Sequence, residues 1–257
     1  MQQFPVAMGM VLGCLVGVGN ARAEEGFPHR AEFSTVKVMT TAELANRYDA
    51  TLIVDVRADF EYEVIHISKA LHIPVGRVDF IDSLAKARAR DGKQSVAFYC
   101  NGHACKKSYE AAQKAMESGF ANVFAYDAGI FDWVTAYPDK GVLLGKTPVD
   151  LAGLISKEKL QQHMLTYEEF AKKAQQPNAW VIDTREPMQR QKIPSFPRLH
   201  NFYGETLHKR IDGGTFKGKL PLFFDAVGKQ VQWLQYHLEE AGLHDYYFLA
   251  GGAEKLP

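Results

Sequence analysis

Short, wholly apolar runs alternate with amphipathic stretches along most of the chain. Residues 51–56 (TLIVDV), 96–99 (VAFY) and 122–126 (NVFAY) have the length and the β-branched or aromatic content of buried strands, and 70–74 adds a short one that stops at Pro74. Between them, Thr40 with Glu43 three residues later forms a capping box that opens a short helix to about residue 48. The acidic segment 59–64 reads as helical, and residues 80–89 carry Ile81, Leu84 and Ala85 on one face. From residue 106 the spacing of Tyr109, Ala112 and Met116 gives one helix face, which Gly119 terminates. Continuous apolar strands separated by helices predict an α/β architecture, a mainly parallel sheet with helices on both faces.

The pattern then recurs. Thr166 and Glu169 make a second capping box, WVIDTR at 180–185 answers the strand at 53–57, and PLFFD at 221–225 answers the strand before Cys100. Val231, Leu234 and Leu238 form a helix stripe closed by Gly242, and ten residues separate Gly242 from Gly252 as they separate Gly119 from Gly129. We read a duplication, with one domain at 33–140, a linker at 141–162 that is partly helical from residue 156, and a second domain at 163–257. A chain of 257 residues has room for two such cores.

Chemistry concentrates at one strand-to-helix junction. Cys100 directly follows the apolar run 96–99, and Asn101, Gly102, His103, Ala104 and Cys105 form a loop before the helix. Loop N–H groups beside a helix N-terminus favour negative charge, and Lys106 and Lys107 add to it, so the place suits a cysteine thiolate on an anion-binding cradle. The bland alternative for Cys100 is a small buried hydrophobe. Cys105 either packs under the helix start or resolves an oxidised Cys100 as a disulfide. His103 is a solvated loop residue or a group that assists proton transfer.

The cradle, the upstream IVDVR (53–57), the segment HISKALHIP (66–74) and the downstream DAGIFDW (127–133) together resemble a rhodanese domain, the sulfurtransferase fold. The resemblance implies two tandem rhodanese-like domains, with strong motifs in the first and fainter ones in the second. It implies that Cys100 carries a sulfane sulfur as a persulfide, and that residues 101–107 bind the substrate. It also implies a structural role for Asp55 and Arg57, and likewise for Asp183 and Arg185, as ties at a strand end. Asp225 stands where a second nucleophile would be, so the second domain is expected to be degenerate, its charge repelling an anionic donor. The familiar tandem rhodaneses place the active cysteine in the C-terminal domain, and this chain departs from them. Ser68-Lys69 replaces the usual Pro-Gly after His66-Ile67.

These readings lead to an exported sulfurtransferase that moves sulfur from a donor such as thiosulfate to a thiol or cyanide. No cofactor and no metal is expected, and the partners are a small sulfur-containing anion or a thiol protein. One alternative is a phosphatase or arsenate-reductase-like oxyanion enzyme, because the C-x5-K loop is one residue longer than that of thiosulfate-using rhodaneses. Another is a non-enzymatic sulfur carrier or binding module. With 30 basic and 30 acidic residues and no basic block, a nucleic-acid partner is disfavoured. Residues 1–23 read as a secretory signal peptide: 4–19 is almost wholly apolar, and Ala21-Arg22-Ala23 fits a cleavage site. The address is then periplasmic or secreted, with no stable membrane span after cleavage. Cleavage would remove Cys14 and leave only Cys100 and Cys105, which is no disulfide framework.

Overall fold

A computed structural model describes residues 26–257; the signal-peptide reading of 1–23, with Cys14, lies outside the described residues. In chain order the first half contains α1 (Thr41–Asn46), β1 (Thr51–Asp55), α2 (Asp59–Val64), β2 (Ile65–Ile67), β3 (Leu71–His72), α3 (Phe80–Asp91), β4 (Ser95–Tyr99), α4 (Lys107–Glu117), β5 (Val123–Tyr126), α5 (Gly129–Ala136) and β6 (Gly141–Leu143). The second half contains α6 (Lys157–His163), β7 (Met164–Leu165), α7 (Tyr167–Ala174), β8 (Ala179–Asp183), β9 (Leu199–Asn201), α8 (Gly204–Asp212), β10 (Leu220–Phe224), α9 (Val231–Glu240) and β11 (Tyr247–Leu249).

Nine of the strands form two parallel sheets, ordered β3-β1-β4-β5 and β7-β11-β10-β8-β9, which fit two domains. Both central strands β1 and β4 are buried along their whole length, which is why they read as unbroken apolar runs. Their side chains still alternate: Ile53, Ala97 and Tyr99 face one apolar cluster, while Leu52, Val54, Val96 and Phe98 face the other. The capping boxes at Thr40 and Thr166 form as the sequence predicts, with the Thr hydroxyl accepting from the N–H of Glu43 and Glu169 respectively.

Three features lie outside the alternation of strands and helices. Residues 26–34 pack on the first half: Phe27 stacks on His103 at 4.2 Å, Phe33 stacks on Tyr109 at 5.3 Å and Arg30 pairs with Asp127 at 2.8 Å. At the start of the segment 141–162, β6 turns back and pairs antiparallel with β2. The turn at Ser68-Lys69 keeps a glycine-like backbone without glycine: Lys69 sits at φ +67°, and its ammonium is held by Asp49 at 2.6 Å. The two sheets share packing through α9, whose Trp233 and Tyr236 are buried among core residues of the first half.

Candidate functional site

A buried parallel strand delivers the residue after it to the carboxyl edge of its sheet, and β4 delivers Cys100, only 2% exposed. The chain turns there before α4. The N–H of Cys105 donates to the Gly102 carbonyl at 2.8 Å, and the N–H of Ile130 donates to the Cys100 carbonyl at 3.0 Å. Gly129 makes this closeness possible: at φ +76°, a Cβ on it would lie 2.4 Å from the Gly102 nitrogen. The loop thus lies directly under the start of α5.

Asp55 and Arg57, both wholly buried, reach the same loop. Arg57 donates Nε and Nη2 to the Asp55 carboxylate at 2.9 and 2.6 Å, and Nη1 to Asn101 Oδ1 at 3.0 Å. Burial opposes the guanidinium charge, but the Asp55 carboxylate outweighs it and holds the Arg57 pKa above its ordinary value. Asn101 in turn donates Nδ2 to Glu61 Oε1 at 2.6 Å, and Glu61 also takes the Ala58 N–H at 3.0 Å and lies 3.6 Å from Lys107 Nζ. A charge-assisted chain therefore runs from the end of β1 to the residue next to the thiol. The related pair in the second half, Asp183 and Arg185 at 2.8 Å, spends its remaining donors on the carbonyls of Gln189 and Lys192.

Of the other predicted residues, His103 places Nε2 3.0 Å from Asp132 Oδ2, and the Ala104 carbonyl faces His29 Nε2 at 3.2 Å. Lys106 turns along α4 to Glu110 at 3.3 Å. Residues 101–105 line one wall of a cavity of about 700 Å³, with Phe131 and Asp132 of α5 beside them and Trp233 and Tyr236 of α9 opposite. Cys100 and Cys105 are joined as a disulfide, their Cα atoms 6.4 Å apart. Among the described residues no cluster of His, Cys, Asp or Glu is arranged to hold a metal.

Asp225 directly follows β10 and is wholly buried. It accepts the backbone N–H groups of Val227 (2.9 Å), Gly228, Gln230 (2.5 Å) and Val231 (3.2 Å), so the second loop is filled by its own anion. As at Gly129, a Cβ on Gly252 would meet the loop backbone, 2.6 Å from the Asp225 carbonyl and the Gly228 nitrogen.

The sequence reading missed Glu61, Asp132, Trp233 and Tyr236. Glu61 had a faint signal, lying four residues after Arg57 in the acidic stretch that became α2. Nothing local could show that a face of α9 would cross to the other half.

A family model for the rhodanese-like domain matches residues 40–136. Over 98 residues the chain is 32% identical to the tRNA uridine(34) hydroxylase of Yersinia enterocolitica, covering 37% of this chain and 27% of that one. It is 33% identical over 97 residues to an HTH-type transcriptional regulator of Mycobacterium tuberculosis, of which it covers 40%. The chain therefore spans well under half the length of these curated relatives. Among solved structures, a thiosulfate sulfurtransferase from Pseudomonas aeruginosa aligns over 88% of this chain and 45% of that one, with 18% identity and a TM-score of 0.37. An As-Sb reductase from Leishmania major covers 49% of this chain and 97% of its own, at 18% identity and a TM-score of 0.37. With the cysteine loop, the Asp55–Arg57 tie and the parallel sheet in place, the family match identifies residues 40–136 as a rhodanese-like domain.

Proposed function

We propose that this protein is an exported sulfurtransferase in which Cys100, in its reduced form, carries the sulfur. One observation supports this most: Cys100, the buried cysteine of the matched domain's cradle, directly follows β4 and opens the loop that lines the 700 Å³ cavity. In the first half-reaction the Cys100 thiolate attacks the outer sulfur of thiosulfate. A Cys–S–S⁻ persulfide forms, and sulfite leaves with the electron pair of the broken S–S bond. In the second, a nucleophilic thiol or cyanide takes that sulfur and the thiolate returns. Arg57, through Asn101, fixes the loop beside the thiol. The second domain, at 163–257, is read as a degenerate rhodanese-like repeat that supplies one wall of the cavity. The oxyanion-enzyme reading rests on the longer C-x5-K loop and is the alternative that the aryl phosphate assay tests; Lys106, which ends that loop, pairs with Glu110 at 3.3 Å.

The test is intact mass after the reduced protein meets thiosulfate without air, with an aryl phosphate tried in parallel. Wild type should take up one sulfur and release sulfite, and Cys100→Ser should do neither while keeping its circular dichroism. Sulfur uptake by Cys100→Ser, or phosphate release with no sulfur uptake by wild type, overturns the reading.

A further inference from the structure

The disulfide joins the Cys105 sulfur to the atom that would carry the sulfane sulfur. Gly102, at φ +149°, turns the loop, and the Cys105 N–H closes it on the Gly102 carbonyl, so Cys105 returns toward Cys100 across a Cα separation of 6.4 Å. That separation is within the span of a disulfide. The two sulfurs are unequal in access: Cys100 is 2% exposed, whereas Cys105 is half-buried at the cavity wall.

We propose that Cys105 is itself an acceptor of the persulfide, so that the protein reduces sulfane sulfur to sulfide. This rests on the sulfurtransferase reading above. The Cys105 thiol loses its proton to the terminal sulfur of the Cys100 persulfide, and its thiolate attacks the Cys100 Sγ. An Sγ–Sγ bond forms, the bond from Cys100 Sγ to the outer sulfur breaks, and that sulfur departs with the electron pair as hydrosulfide. The two cysteines are oxidised by two electrons, and the sulfane sulfur is reduced by two. Hydrosulfide is a weaker base than an ordinary cysteine thiolate, which favours its departure in such exchange. Proximity on one loop favours the internal thiol over any external one. The product is the disulfide that the structure shows. A dithiol reductant then completes the cycle by attacking the more accessible Cys105 sulfur, which releases the Cys100 thiolate.

The experiment is a single turnover. Fully reduced wild-type protein, freed of reductant under argon, is mixed with one equivalent of thiosulfate, and sulfite, sulfide, intact mass and disulfide-linked peptides are followed. Wild type should release sulfite and then sulfide in equal amounts and gain a Cys100–Cys105 peptide in the same proportion. Cys105→Ser should hold the added sulfur, with sulfide release slowed about a hundredfold or more until an external thiol is supplied. If wild type keeps the sulfur as a lasting persulfide, or forms the disulfide without sulfide, the inference is overturned and the sulfurtransferase reading survives. If neither protein takes sulfur nor yields sulfite, the sulfurtransferase reading fails. Should Cys105→Ser not fold, the wild-type ratio of sulfide to disulfide decides alone.

Discussion

Asp225 and Cys100 stand at like places, each directly after the central strand of its sheet, and they differ in what the loop amides hold. In the second half the amides hold a carboxylate that belongs to the chain. Asp225→Ala would leave buried N–H groups without an acceptor, so the protein should lose roughly 2–4 kcal/mol in urea unfolding. Asp225→Asn, which keeps one acceptor oxygen, should lose less. The rate of sulfur transfer per folded molecule should not change in either. An Asp225→Ala protein as stable as wild type would show that water replaces the carboxylate without cost. Arg57 carries a similar argument at the working site. Lysine cannot hold Asp55, Asn101 and the Ile65 carbonyl together, so Arg57→Lys should lower both stability, by roughly 2–4 kcal/mol, and the rate of sulfur uptake. A rate equal to wild type would mean that Asn101 keeps its place without the guanidinium.

At the scale of elements, periodicity revealed what each helix does with its own sheet and little else. The stripe Val231, Leu234 and Leu238 on α9 was legible because it packs on β10 and β11, and all three lie in the cluster with Phe223 and Phe248. Trp233 and Tyr236 of the same helix form a second stripe whose partners lie a hundred residues earlier, and no window of sequence contains them. The pairing of β2 with β6 escaped for the same reason. A titration is hidden at the contact of α8 with α9, where the tilted rings of His208 and His237 lie 4.4 Å apart. Burial, and then the neighbouring His208, lower the His237 pKa to about 4, against an opposing pull from Glu240 and Asp212. Above about pH 6.5 the imidazole is neutral in folded and unfolded chains alike, and its packing contributes fully. As the pH falls from 6.5 towards 4, the unfolded chain binds a proton that the folded chain does not, so stability drops, by on the order of 1–3 kcal/mol. Urea unfolding at pH 7 and pH 4.5 should therefore show a smaller acid loss for His237→Gln than for wild type. Equal losses would place the acid sensitivity elsewhere.

The whole molecule turns on how its two sheets are joined. Trp233 stacks on Phe131 at 6.1 Å and lies 5.7 Å from the Arg57 guanidinium, and the Tyr236 hydroxyl accepts the Ile155 N–H at 3.1 Å. Lys146 with Glu240 and Lys159 with Glu239 add ion pairs at 2.8 and 2.9 Å around the same helix. Exposed pairs of this kind contribute little, so the two buried aromatics dominate the joint. The helix that follows the self-filled loop of Asp225 is thus a wall of the cavity beside the 101–105 loop and also part of the first half's core. Two halves coupled in this way should unfold together, and wild type should give a single heat-absorption peak in calorimetry. Changing both Trp233 and Tyr236 to Ala removes the shared core while leaving each sheet its own clusters, so the peak should split into two, the earlier well below the wild-type transition. The cavity should open in the same variant, so that sulfur uptake needs more thiosulfate for half-saturation while Cys100 still forms its persulfide. A single peak in the double variant would mean that the halves are held by the backbone pairing and ion pairs of the linker, and α9 would then serve the site without joining the halves.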